Sequence, residues 1–255
     1  MSISSISGYG SDYYGMIASG KRINSAADDA AGLAIAKKLE TQATGYDVGS
    51  NNAAAGQDML RVAEGGLSSV LDSLQRMREL SVQAGNTAIY GQDELNAIQD
   101  EIEQLKSSIN DATANTHFNG MNLLDGSKTN WNLATNPNGS GMEVTTPKTT
   151  LEMLGIEDYD VSGGNFDIGA LDKAIGKVTG AMSSIGATTN RLQHQMNFNG
   201  YASYNLTASQ SRIEDLDIPR AVSEKEKERI LGEYKLFFMR KQMQDAGNVA
   251  NLLRF

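Results

Sequence analysis

The stretch LDKAIGKVTGAMSSIGATTNRLQHQM, residues 171–196, decides the fold. Leu171, Ile175, Val178, Met182, Ile185, Leu192 and Met196 recur at alternating steps of four and three, with Thr189 as the one polar break. This spacing predicts a helix from about 171 to 213, roughly 65 Å long at the usual helical rise, with a single narrow apolar seam. A seam that narrow must be covered by another of the same kind. Two candidates stand far upstream. Leu67, Val70, Leu74 and Met77 carry the rhythm in one segment, and Leu95, Ile98, Ile102, Leu105 and Ile109 carry it in the next. The expected fold is therefore mainly α: an elongated antiparallel helical bundle or coiled coil formed by the N- and C-terminal halves.

Between these blocks, residues 118–165 change character. Asn119-Gly120, Asp125-Gly126 and Asn138-Gly139 are turn dipeptides, and Trp131 and Leu133, then Met142 and Val144, alternate with polar residues. Short strands and hairpins are predicted here, as a small β cap on the bundle.

The two ends read differently. Residues 1–16 hold Gly8, Gly10, Gly15 and five serines, a composition that disfavours a stable helix despite periodic Ile and Tyr. Toward the other end Pro219 marks a break, and Ser223 with Glu226 forms a capping-box signature. The following SEKEKERILGEYKLFFMRKQMQ reads as a charged amphipathic helix, detached and seeking a partner. Residues 1–45 and 215–255 are expected to act as terminal segments, and 46–214 as a core domain.

Composition narrows the function. The formal net charge of -9 repels phosphate backbones and anionic lipid, so neither nucleic acid nor membrane is an expected partner. With no cysteine there are no disulfides, thiolate metal sites or cysteine nucleophiles. The first residues lack the basic start and apolar run of a secretory signal, so any export is expected to use another route. Asp28 and Asp29 are adjacent and would point about 100° apart on a helix, which does not suit an acid/base pair. His117 and His194 lie in unrelated segments, too few for a histidine metal site. Asp158, Asp160 and Ser162 resemble the opening of a calcium loop, but its twelfth position is Gly169. No cofactor, metal or catalytic residue is expected, and the chain is not read as an enzyme.

Four segments resemble one family: IASGKRINSAADDAAGLAIAKKLE (17–40), SLQRMRELSVQAGN (73–86), HFNGMNLLDG (117–126) and NRLQHQMNFNGYASYNLTASQSRIEDLDI (190–218). Together they are similar to bacterial flagellin, with a short middle region. The resemblance implies a structural subunit of the flagellar filament, serving motility. Its terminal helices would pair into an inner tube and its bundle would form an outer layer. It also implies extracellular localisation in the filament and export, unfolded and uncleaved, through the flagellar type III apparatus. Implied partners are further copies of the chain, a flagellar export chaperone and hook–filament junction proteins.

In the first segment, Arg22, Asn24, Ala26, Asp28 and Asp29 become candidate assembly contacts, and Ser25 a candidate helix cap; a well-formed helix start is the plainer alternative. Arg76, Leu80 and Glu101 match a flagellin surface used in lateral packing and read by the host flagellin-sensing Toll-like receptor. A solvated helix face is the plainer alternative there. The charges of residues 223–241 depart from the family, whose final helix is poor in charge. They leave a second reading: a flagellin-like protein that does not polymerise alone and binds a chaperone or junction partner.

Overall fold

The computed structural model describes residues 9–86, 88–164 and 166–252. The chain divides into two compact units, one comprising 1–43 with 204–255 and the other 44–203. In chain order the elements are α1 (Tyr9–Ser19), α2 (Ala30–Ala84), α3 (Gln92–Asn115), β1 (His117–Phe118), β2 (Met121–Asn122), β3 (Asn130–Leu133), β4 (Met142–Thr145), α4 (Leu151–Leu154), α5 (Ile168–Glu214) and α6 (Ile218–Leu252).

The unit of residues 44–203 is built on the seam pairing that the heptads demand. Leu60, Leu67, Val70, Leu74 and Met77 of α2 lie in one buried cluster with Ile98, Ile102 and Ile109 of α3 and Leu171, Val178, Ile185 and Leu192 of α5. Cross-links fix the directions. Arg78 pairs with Asp172 at 2.6 Å, Gln57 Nε2 donates to Thr189 O at 3.1 Å, and Asn199 lies beside Gly49. Rising numbers on α5 therefore meet falling numbers on α2, so the two helices are antiparallel. Contacts of Arg76 with Glu101 and of Gly66 with Thr116 make α2 and α3 antiparallel too. At the level of the polar break the buried Gln57 amide donates to the Thr189 main-chain carbonyl and lies 3.4 Å from Gln193 Oε1.

The expected hairpins are present. β1 pairs with β2 across Asn119-Gly120, whose φ values of 50° and 74° give the two left-handed positions that a tight two-residue turn requires. β3 pairs with β4 in the register Trp131↔Val144, both buried, and the indole N–H of Trp131 donates to Thr146 Oγ1 at 3.1 Å. The strands end at Thr145, short of the expected limit of 165. There α4 closes on Gly155, and Ile156, Tyr159 and Val161 are buried as a clasp instead of a strand. The Tyr159 hydroxyl donates to Ser81 Oγ at 2.8 Å, and burial pushes its pKa up.

The β3–β4 loop docks onto α2 and α5. Asn52 Nδ2 donates to Ala134 O at 2.8 Å and Asn199 Nδ2 to Thr135 O at 2.9 Å. Gly49 and Gly56 of α2 make room: a Cβ would fall 2.3 Å from Thr135 O at the first and 2.2 Å from Leu133 Cδ1 at the second.

Three expectations for the terminal unit are corrected. Residues 9–19 are helical, against a Gly/Ser composition, because α1 gains a partner in α6. Residues 1–8 lie outside the described residues. Second, α6 is not detached: it packs on α1, with Ala221 buried, Lys225, Glu228 and Gly232 half-buried, and Lys225 Nζ 4.0 Å from the Tyr14 ring centroid. Third, α6 starts before the Ser223 capping box. Asp217 accepts the Arg220 amide at 3.2 Å, Pro219 sits in the first turn, where its missing N–H is no loss, and Ser223 Oγ merely donates back to Pro219 O.

Two substitutions test this account. Leu74→Ala, at a fully buried seam position, should lower unfolding free energy by about 2–5 kcal/mol in urea titration. Gly49→Ala should displace the β3–β4 loop and alter the fluorescence of Trp131, with helical circular dichroism largely kept.

Candidate functional site

The segment Gly20–Asp29 connects α1 to α2 and holds the candidate assembly residues. Gly20, at φ 69°, turns the chain out of α1. Arg22 N–H then donates to Glu214 O at 2.7 Å, Leu216 N–H to Gly20 O at 2.9 Å, and the Arg22 guanidinium to Ile213 O at 2.6 Å. Lys21 and Asp215 form an isolated antiparallel bridge. The connector is thus stitched to the point where α5 gives way to α6. Ile23 is buried beneath it at 1% exposure.

Beyond Ile23 the chain makes a carboxylate-centred turn. Asp28 Oδ2 accepts the main-chain N–H groups of Ser25 at 2.8 Å and Asn24 at 3.0 Å, and the Ser25 hydroxyl as well. The Ser25 amide, followed by that of Asn24, holds the Asp28 carboxyl below the usual range. Asp29 caps α2: its Oδ1 accepts the Gly32 amide at 2.8 Å. The cap is Asp29, and the expectation for Ser25 is corrected, since the Ser25 side chain serves the preceding turn. Arg22, Asn24, Ala26 and Asp28 are exposed and Asp29 is half-buried. The two acids have separate structural tasks.

The second candidate surface lies on α2 and α3. The Arg76 guanidinium approaches Glu101 Oε1 at 2.8 Å from two nitrogens and Glu79 at 3.3 Å from the third. Glu101, then Glu79, stabilises its charged form. Leu80 is 2% exposed and belongs to the core cluster, so the exposed part of this trio is Arg76 and Glu101. His117 and His194 are exposed and far apart in sequence. Among the described residues no three His, Asp or Glu side chains are grouped to hold a metal ion, and no helix is long and apolar enough to cross a membrane.

Sequence reading passed over Lys21 and Glu214, which the fold brings to 2.7 Å, and the glycines of α2 that receive the loop. The glycines did leave a signal, since Gly45, Gly49 and Gly56 step along one side of a helical run at intervals of four and seven. Lys21 and Glu214 left none, being 193 positions apart.

A helical seam closed by distant segments, with a stitched connector, defines a helical-bundle protein. A family model for the bacterial flagellin N-terminal helical region matches residues 2–129, and one for the C-terminal helical region matches residues 168–253. Flagellin from Bacillus subtilis (strain 168) is 34% identical over 275 residues, covering 93% of this chain and 90% of the relative. The flagellar filament 33 kDa core protein of Treponema phagedenis is also 34% identical, over 258 residues with the same coverage. The crystal structure of Bacillus cereus flagellin superposes with a TM-score of 0.51 at 25% identity, covering 58% of this chain and 88% of that one. The chain belongs to the bacterial flagellin family. It is a structural subunit of the extracellular flagellar filament and not an enzyme.

Removing the α2 cap by Asp29→Ala should cost about 1 kcal/mol and speed amide exchange at Gly32, read by hydrogen-exchange mass spectrometry.

Proposed function

We propose that subunits associate through the terminal unit, with α1 and α6 as the principal contact elements. The observation that carries this reading is the face of α6 turned away from α1. Ile230, Tyr234, Phe237 and Phe238 are 54%, 63%, 63% and 55% exposed on one side of the helix, and the Tyr234 and Phe238 rings stand 5.8 Å apart. Opposite them run Ala221, Lys225, Glu228 and Gly232, the side toward α1. Leu236, Met239 and Met243 are exposed on other sides of the helix, so α6 presents more apolar side chain than α1 covers, and further copies of the chain are the partner that a filament supplies.

The charges of α6 fit this arrangement. Arg229 bridges Glu226 and Glu233, and Lys227 pairs with Glu224, so much of the charge of residues 224–233 is neutralised within the helix. Arg22, Asn24, Ala26, Asp28 and Asp29 lie along the connector and serve as secondary assembly contacts. Arg76 and Glu101 provide a lateral packing surface, which is also the one offered to a host flagellin-sensing Toll-like receptor, with Leu80 supporting it from the core. Before assembly the chain travels unfolded and uncleaved through the flagellar type III apparatus. An export chaperone shields the apolar face of α6, and hook–filament junction proteins meet the first subunits. Association in this manner builds the filament for motility.

The test is polymerisation of the full chain, scored by sedimentation and electron microscopy with and without fragmented filaments as seeds. The wild type should extend seeds, and Phe237→Ser/Phe238→Ser should reduce pelleted polymer about tenfold or more at unchanged monomer fold. Wild-type chain that stays monomeric in both conditions would sink the reading and favour the partner-bound alternative.

A further inference from the structure

Glu214 ends α5 with its side chain 3% exposed, and both carboxylate oxygens are occupied. Oε1 accepts Lys21 Nζ at 2.7 Å and Oε2 accepts Gln210 Nε2 at 2.9 Å. Its main-chain carbonyl also takes the Arg22 amide. One residue therefore holds the connector by side chain and backbone together, at the level where α1 breaks before α2 and α5 breaks before α6. A carboxylate this far from water is tolerable only while paired, and removing its partner leaves an uncompensated buried charge. No such constraint acts on the exposed pairs of the same unit, such as Lys37 with Glu40.

We infer that Lys21 and Glu214 form an ionic latch that holds the two helix breaks of the terminal unit together and so positions the α1–α6 pair for subunit association. Both are positioning residues. The inference rests on the association reading above and adds to it the device that orders the associating helices.

The groups facing Glu214 set the pH dependence of the latch. They are Lys21 from the connector and Gln210 one turn back on α5, with Lys37 of α2 adding a weaker field. Asp215 faces Ser211 instead, accepting its hydroxyl. The hydrogen bond from Lys21, then that from Gln210, depresses the Glu214 pKa below its ordinary 4.5. A depressed carboxylate contributes stability that is whole above its unfolded value and is lost as pH falls through the lowered folded value. The latch should be closed at neutral pH and should open in acid.

Hydrogen-exchange mass spectrometry on the full chain, corrected for intrinsic rates, reads the segments holding the Arg22 and Leu216 amides, and seeded extension reads positioning. Glu214→Gln keeps shape and removes charge; Lys21→Met removes the partner; Lys21→Glu/Glu214→Lys restores the pair reversed. At neutral pH both single variants should exchange about tenfold faster or more in these segments and should extend seeds correspondingly more slowly, with partial rescue in the reversed pair. Wild-type protection of the Leu216 segment, which lies away from the Asp28 turn, should fall in acid more steeply than that of Glu214→Gln. Unchanged Trp131 fluorescence shows that residues 44–203 remain folded. Wild-type exchange in Glu214→Gln overturns the latch, and faster exchange with undiminished extension overturns its positioning role. Wild-type chain that fails to extend seeds overturns the association reading and positioning with it, while exchange still decides the latch itself.

Discussion

The apolar seam shared by α2 and α5 is the interaction on which the rest of residues 44–203 depends. Neither helix can keep so narrow a stripe from water alone, and the stripe on α5 finds its partner about a hundred residues upstream. An antiparallel pairing satisfies both stripes along their length. Once it forms, α3 is carried onto the same seam, and the buried Leu67, Leu74, Ile102, Leu171 and Ile185 become one core. Hydrophobic pairing is nondirectional, however, and repeating seams can slip by a heptad. The buried amide of Gln57 opposes such slippage through Gln193 Oε1, because a shift by one heptad would put Gly186 or Gly200 in place of that side chain.

The β3–β4 hairpin uses the same device. Its loop would carry unsatisfied carbonyls against two helices were it not for Asn52 and Asn199, which donate to Ala134 and Thr135. The approach is close enough that α2 must present Gly49 and Gly56 beneath it, although glycine weakens a helix interior by about 1 kcal/mol each. That weakness is offset by the packing it permits. The small middle region is thus a part of the same core, held by directional bonds where apolar area is scarce.

In the terminal unit the balance shifts from area to charge and backbone. Among its described residues the buried apolar side chains are Ile23 and the small Ala36, Ala43 and Ala221, and order comes from the connector's bonds to α5 and from the Lys21–Glu214 pair. Under the proposed association through α1 and α6, a unit with so little buried surface and exposed aromatic side chains on α6 would be stabilised further by its neighbours.

The sequence by itself determined what is periodic or local. The α5 heptad foretold a helix from 171 to 213 and the structure has 168–214; Asn119-Gly120 foretold a tight turn; the alternation at Trp131 and Val144 foretold a strand pair. The family, too, was legible in four motifs. What only the tertiary structure decided is what long-range contact controls. Residues 9–19 are helical because α6 is beside them, which no local propensity in a Gly/Ser-rich segment could report. Asp217 outcompetes the Ser223 capping box because Pro219 suits a first turn. Leu80 turned into the core while Arg76, one turn earlier on the same helix, stayed outside, a difference of rotation that spacing alone leaves open. The approach of Lys21 to Glu214 had no trace in the sequence at all, since two charges 193 positions apart become a pair only when the helices between them have folded.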